Sequence, residues 1–231
     1  MAQVKIYSAK VCPYAQRVRM VLLTKEIEFE SIEIDLHNKP DWFAEVSPYG
    51  KVPVIQHGEN RIWESGIINE YLEEVFPDPP LMPQNPGLKA ITRIWIDFAN
   101  TKFTPAFYKL LLSQDTQQQK TWRNELHQHL LFIENEGFRK LSGTDSYWLG
   151  DAISLIDLSF YPWFERWIAL EHYRGLTLPA ECTRLKAWLE IMRQHPAVQA
   201  TAQSPEFYLQ DYAQYANNQA SGTTAEEMRR Y

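Results

Sequence analysis

The spacing of apolar and polar residues changes character about a third of the way along the chain. Before that point, short runs carry the period of strands. Val4-Lys5-Ile6-Tyr7-Ser8 reads as a strand. Phe29-Glu30-Ser31-Ile32-Glu33-Ile34-Asp35 alternates with period two, as a half-buried strand does. Between them Val18, Val21 and Leu22 recur at helical spacing, which predicts a helix over 13–25. A β-α-β order predicts a parallel pair joined by a right-handed crossover. A loop at 38–43 then feeds a short helix, and Ser47-Pro48-Tyr49-Gly50 makes a turn. The next strand, Val52-Pro53-Val54-Ile55, contains a proline. A ladder accepts proline only at an edge or a special position, so Pro53 needs an explanation. Arg61-Ile62-Trp63 reads as a hairpin partner across His57-Gly58-Glu59-Asn60, and Glu64-Ser65-Gly66 opens a helix running to Phe76.

Pro77-Asp78-Pro79-Pro80-Leu81-Met82-Pro83 is too rich in proline for a helix and reads as a linker. It divides the chain into a first unit over 1–77, a linker over 78–85 and a second unit over 86–216. In the second unit strand alternation disappears. Helical spacing covers 86–112, 116–140, 154–171, 181–194 and 204–214. Ser154-Leu155-Ile156-Asp157 has the form of a capping box, with Ile153 and Leu158 in the staple positions. Ser154 and Asp157 are thus structural. The tail over 217–231 is polar, lacks an apolar stripe and reads as mobile.

Composition narrows the function classes. A chain of 231 residues, 45% hydrophobic, fits two compact domains. Eight Trp, twelve Tyr and eleven Phe require a substantial core or an aromatic pocket. The formal charge is −6 and no Lys/Arg stripe is present, which argues against a nucleic-acid partner. Two cysteines 170 positions apart form no disulfide framework, so a reducing cytoplasm is the simplest setting. No signal peptide opens the chain and no apolar run reaches membrane-spanning length, so no membrane is expected. No metal site is expected.

The candidate chemistry lies at Val11-Cys12-Pro13-Tyr14-Ala15-Gln16-Arg17, between a strand and a helix. Pro13 suits the first helical position, where its missing N–H costs nothing. The free amides and the positive end of the helix dipole then face the Cys12 sulfur, with Arg17 and Lys10 nearby. That setting favours the thiolate and predicts a pKa below the ordinary value of about 8.5. A free cysteine is more often a small buried hydrophobe, but the strand–Cys-Pro–helix context favours the nucleophile. Position 15 is Ala, so no resolving thiol lies one turn away and a dithiol oxidoreductase is disfavoured.

Five segments in this order resemble the glutathione transferase superfamily and, within it, the omega class. They are Cys12 to Arg17, Asn38-Lys39-Pro40-Asp41-Trp42-Phe43, Val52-Pro53, Glu64-Ser65, and the pair Ser154 to Asp157 with Pro162-Trp163-Phe164-Glu165-Arg166. The resemblance implies an α/β thioredoxin-like N-terminal domain plus an all-α C-terminal helical domain. It implies glutathione as cosubstrate, a small electrophile or mixed disulfide as the other partner, and a homodimer. Cys12 matches the residue that forms a mixed disulfide with glutathione, and Tyr14 an aromatic beside it. Lys39 matches the lysine that meets the glycine carboxylate. Val52 precedes a proline that is cis in the superfamily and offers its backbone to the ligand, as an added strand would. Glu64 and Ser65 match the pair at the γ-glutamyl end, where a helix-start amide suits a carboxylate. Lys39 taken alone would be a solvated loop charge, and Glu64 and Ser65 ordinary capping residues.

Phe103, Phe107, Trp163 and Tyr208 are candidates for a second-substrate pocket, although such a stripe serves equally as core. Tyr7 lies on the strand, ahead of the loop that would carry a tyrosine catalyst. Animal omega proteins have an N-terminal extension where this chain begins its first strand by Val4, and position 14 is Tyr where the class often has Phe. The expected activity is glutathione-dependent thiol transfer, including dehydroascorbate reduction and removal of glutathione from adducts, with weak conjugation. A non-enzymatic protein of the same fold, like a chloride intracellular channel or a binding scaffold, is the alternative.

Overall fold

The structure, a computed structural model, describes residues 3–229. The first unit runs β1 (Val4–Ser8), α1 (Pro13–Thr24), β2 (Phe29–Glu33), α2 (Phe43–Val46), β3 (Val54–His57), β4 (Asn60–Trp63) and α3 (Ser65–Val75). The sheet order is β2-β1-β3-β4. β1 and β2 are parallel, with Val4 opposite Phe29, as the β-α-β pattern requires. β3 runs antiparallel to both β1 and β4. Two strand ends differ from expectation for local reasons. β2 stops at Glu33 because Asp35 Oδ1 accepts the amides of His37 and Asn38 and turns the chain. β3 starts at Val54, which leaves Pro53 outside the ladder and removes the conflict with its missing amide.

α1 is buried on nearly every side. Val18, Val21 and Leu22 face the core as predicted, but Gln16, Arg17 and Arg19 are buried as well. The cause is position: α1 packs against α3 and also against two helices of the second unit, α7 (Leu155–Glu165) and α10 (Pro196–Thr201).

The second unit is wholly helical apart from an isolated bridge between Tyr147 and Gly150. Its other helices are α4 (Pro86–Phe98), α5 (Thr104–Leu112), α6 (Thr116–Phe132), α8 (Trp167–Arg174), α9 (Thr183–Gln194), α11 (Pro205–Ala216) and α12 (Thr223–Arg229). Three expected long helices are interrupted. Between α4 and α5 the helix widens to a π-turn, where the Thr104 amide reaches back to Ala99 and Pro105 has no amide to donate. After α6 a second π-helical stretch, Ile133–Ser142, brings Gly137 against Trp148; a Cβ there would lie 2.8 Å from the indole. α7 ends at Arg166, where the Pro162 carbonyl accepts Arg166 Nη1.

Within the tail expected to be mobile, Thr223–Arg229 forms α12, which packs against α5, and residues 230–231 lie outside the described residues. Ala220 and Ala225 are buried and Glu227 pairs with Lys51 at 2.6 Å. The buried residues are alanines, too small to mark an apolar stripe.

Candidate active site

Cys12 caps α1 with extended backbone (φ −77°, ψ 119°), and Pro13 takes the first helical position. Two buried arginines fix the loop before it. Arg19 Nη1 donates to the Ala9 carbonyl at 3.1 Å, and Arg166 Nη2 donates to the Val11 carbonyl at 3.0 Å. Cys12 is half-buried and its thiol donates to the Val52 carbonyl at 3.8 Å. The Val52–Pro53 peptide bond is cis, as expected; Asp78–Pro79 is also cis.

The expected acidic shift of Cys12 is corrected. Burial pushes the thiol above its ordinary value. The amides of Ala15 and Tyr14 and the charges of Arg166 and Arg19 oppose that shift without overcoming it. Desolvation disfavours the charged form, and here it exceeds what the helix start supplies. The cations that lower the thiol are Arg166 and Arg19, and Arg17 also feels its charge. Arg17 lies deeper. It is fully buried and donates to Asn100 Oδ1 at 2.9 Å, the Ser159 carbonyl at 2.9 Å and Ser65 Oγ at 3.4 Å. Its guanidinium also lies over the Trp163 ring, 4.7 Å from the centroid. Burial pushes it down to about 10, so it remains charged at neutral pH.

One cavity of 310 Å³ is lined by Cys12, Tyr14, Lys39, Val52, Pro53, Glu64 and Ser65, all seven residues singled out around glutathione. Lys39 and Lys51 both line it, and Lys39 Nζ donates to the Gly50 carbonyl at 2.8 Å. Ser65 begins α3 and its hydroxyl accepts a hydrogen bond from Arg17. Glu64 just before it has φ 67°. A non-glycine residue in such a sparsely populated region costs roughly 1–3 kcal/mol and persists where the surroundings hold it, often at a ligand site. Cations, the Val52 backbone and a helix start thus line one cavity, the groups a short peptide with terminal carboxylates requires.

A second cavity, 360 Å³, shares Cys12, Tyr14, Leu36 and Tyr215 with the first and extends between the two units. Its aromatic residues are not those expected. Phe103, Phe107 and Trp163 are fully buried in the core, where Phe103 packs on Phe164 and Trp163 meets the edge of Tyr14. Tyr208 is buried with its hydroxyl donated to Glu165 and lines a separate cleft. The second cavity instead meets Tyr108, Phe207, Tyr212 and Tyr215. Phe207, Asp211 and Tyr215 recur at i, i+4 and i+8 on α11, a signal present in the sequence. Asp157, expected as a cap, does more. Its Oδ2 accepts the Ser154 amide and hydroxyl at 2.8 and 2.6 Å, while Oδ1 accepts the Trp148 amide at 3.1 Å and Trp188 Nε1 at 2.7 Å.

Comparison with known proteins agrees with this arrangement. Family models described as "Glutathione S-transferase, N-terminal domain" and "Glutathione S-transferase, C-terminal domain" match residues 6–80 and 115–190. Glutathione S-transferase omega-1 of Mus musculus is 36% identical over 220 residues, covering 93% of this chain and 85% of that protein. Glutathione S-transferase omega-2 of Rattus norvegicus is 36% identical over 203 residues, covering 84% of this chain and 77% of that protein. The crystal structure of glutathione transferase Omega 3C from Trametes versicolor superposes with a TM-score of 0.84 at 28% identity, covering 96% of this chain and 94% of that one. Its fold and these relatives together show that the chain belongs to the glutathione transferase family, in the omega-like branch, with glutathione as cosubstrate.

Proposed function

We propose that the chain is a cysteine-type, glutathione-dependent thiol transferase. The observation that carries this reading is the place of Cys12 in the wall shared by two cavities. Glutathione fits the first, with its glycine carboxylate toward Lys39 and Lys51 and its γ-glutamyl end at Glu64 and Ser65. The cysteinyl part pairs with the Val52 backbone. When a ligand amide takes the Val52 carbonyl, the Cys12 S–H loses its acceptor, and one interaction that favours the neutral thiol disappears. The Cys12 thiolate attacks the glutathionyl sulfur of a mixed disulfide. A Cys12–glutathione disulfide forms, the original S–S bond breaks, and the released thiolate takes a proton from solvent. A glutathione thiolate then attacks the glutathionyl sulfur of that adduct, yielding oxidised glutathione and the Cys12 thiolate. Dehydroascorbate reduction uses the same monothiol cycle with two glutathiones as reductant. Conjugation is weak because glutathione beside Cys12 is drawn into disulfide. We place the protein in the cytoplasm and read it as a homodimer, the dimer reading being supported by the exposed Ile67 and Ile94 on helices joined by an ion pair.

Incubation with oxidised glutathione, followed by intact-mass and peptide analysis, tests the reading. One glutathione should appear on Cys12 and leave with excess reduced glutathione. Cys12→Ser should abolish exchange, since a hydroxyl forms no mixed disulfide. Full exchange in that variant would overturn the mechanism.

A further inference from the structure

We infer that the second cavity selects substrates bearing a positive charge near the reacting atom, and that Asp211 sets this preference. The inference rests on the thiol-transfer reading and names the substrate class of its second site. Asp211 lies on α11, half-buried, in the wall that also holds Tyr108, Phe207, Tyr212 and Tyr215. Its carboxylate accepts one hydrogen bond among the described residues, from Gln214 Nε2 at 3.4 Å. A carboxylate has about four acceptor positions. Asp157 fills its own with four donors and is structural, whereas Asp211 retains acceptor capacity at a cavity wall.

Its surroundings keep it charged and near the chemistry. Burial pushes the carboxyl up to about 6, while Arg166, His37 and Gln214 oppose the shift, so it is ionised at neutral pH. Burial raises the Tyr215 phenol, the fields of Asp211 and Cys12 add to it, and all three residues line the same cavity. Burial likewise raises the phenols of Tyr108 and Tyr212, so these rings stay neutral and offer only their π-systems. Arg166 does not line the cavity; its guanidinium is spent on Gln16 and on the carbonyls of Pro162 and Val11. The lining also includes Lys10, Glu33, Asp35 and His37. A carboxylate among aromatic rings is the chemistry that receives an organic ammonium group. The fitting substrate is a mixed disulfide of glutathione with an aminothiol. Cys12 bonds the glutathionyl sulfur, the S–S bond breaks, and the aminothiolate leaves with the electron pair and takes a proton from solvent.

The test compares three mixed disulfides of glutathione, with cysteamine, mercaptoethanol and thioglycolate, at neutral pH. In the unmodified protein kcat/KM for the cationic substrate should exceed that for the anionic one by about tenfold, the discrimination that ~1.4 kcal/mol supplies. Asp211→Asn should bring the ratio within about twofold, and Asp211→Glu should retain it. Binding of S-(2-aminoethyl)glutathione against S-(carboxymethyl)glutathione, by calorimetry, reads the same preference without any exchange chemistry. A ratio near one in the unmodified protein, or an unchanged ratio in Asp211→Asn, overturns the inference. Failure to turn over even the mercaptoethanol substrate would overturn the thiol-transfer reading, and the thioether pair would still decide the charge preference. If neither thioether binds, both fail.

Discussion

Cys12 is acted on by two opposed effects. Helix-start amides and the charges of Arg166 and Arg19 favour the thiolate, while burial and the S–H bond to the Val52 carbonyl favour the thiol. The first pair of effects is legible in the sequence, at least for the helix start. The second depends on how the second unit covers the loop, which no local pattern encodes. The net direction is upward, so the thiolate fraction in the ligand-free protein should be low at neutral pH and rise as pH passes the folded value. Alkylation by iodoacetamide, followed against pH with Cys182→Ala to leave one thiol, should inflect above the ordinary thiol value of about 8.5. Cys182 itself is buried and pushed up to about 11, so it should react more slowly still. An acidic inflection for Cys12 would show that the amides and arginines outweigh burial.

Hydrophobic period suffices at the element scale where one face of an element meets the core, as in β1 and α9. It fails at the π-turns, because the apolar spacing continues through a widened helix, and at α10 and α12, which are one to two turns long. Capping chemistry is legible at Ser154 and Asp157, but not the reach of Asp157 to Trp148 and Trp188, since those partners converge only in the fold. That reach changes the expected energetics. Ser154→Ala should cost about 0.5–2 kcal/mol, a lost cap. Asp157→Ala leaves the buried Trp188 N–H and Trp148 amide without acceptors and should cost about 3 kcal/mol or more. Urea melts of both variants decide this, and equal losses would reduce Asp157 to a cap. α12 yields a second prediction. Glu227 pairs with Lys51, and both line the first cavity, where the proposed reading brings a ligand carboxylate to Lys51. A partly exposed pair of this kind contributes about 0–1 kcal/mol to folding, so its effect should appear in binding. Glu227→Gln should lower KM for glutathione up to about fivefold with stability nearly unchanged. Steady-state kinetics that show a raised KM would mean Glu227 instead assists the ligand.

For the whole molecule, the site lies at a junction. α1 carries Cys12 from the first unit and is packed by α7 and α10 of the second, so the thiol sits where both units contribute walls. The sequence shows the two halves and the residues of the first cavity, because those residues lie in short local motifs. The second cavity is drawn from residues more than a hundred positions apart, and the aromatic residues expected there, such as Phe103 and Phe107, close the core instead. Among the described residues the exposed large apolar side chains are Trp42, Tyr49, Ile67, Leu88, Ile94 and Phe132, and two of them, Ile67 and Ile94, are isoleucines on helices joined by an ion pair. Ile67 on α3 is 61% exposed and Ile94 on α4 is 64% exposed. The Glu70–Arg93 ion pair ties these two helices together, with Nη2 2.7 Å from Oε2. Two large aliphatic side chains on helices tied in this way suit a self-complementary two-fold contact, in which each patch covers its own copy. Ile94→Glu would place a carboxylate in that contact, facing its symmetry mate or the Glu70 side chain, and burying it unpaired is strongly unfavourable. Light scattering should then show the mass fall from two chains to one, with the far-ultraviolet circular dichroism retained. Exchange activity per chain, measured in that monomer, then reads whether the partner copy contributes to the site. A dimer that survives Ile94→Glu and the double variant with Ile67→Glu would place the subunit contact on another face.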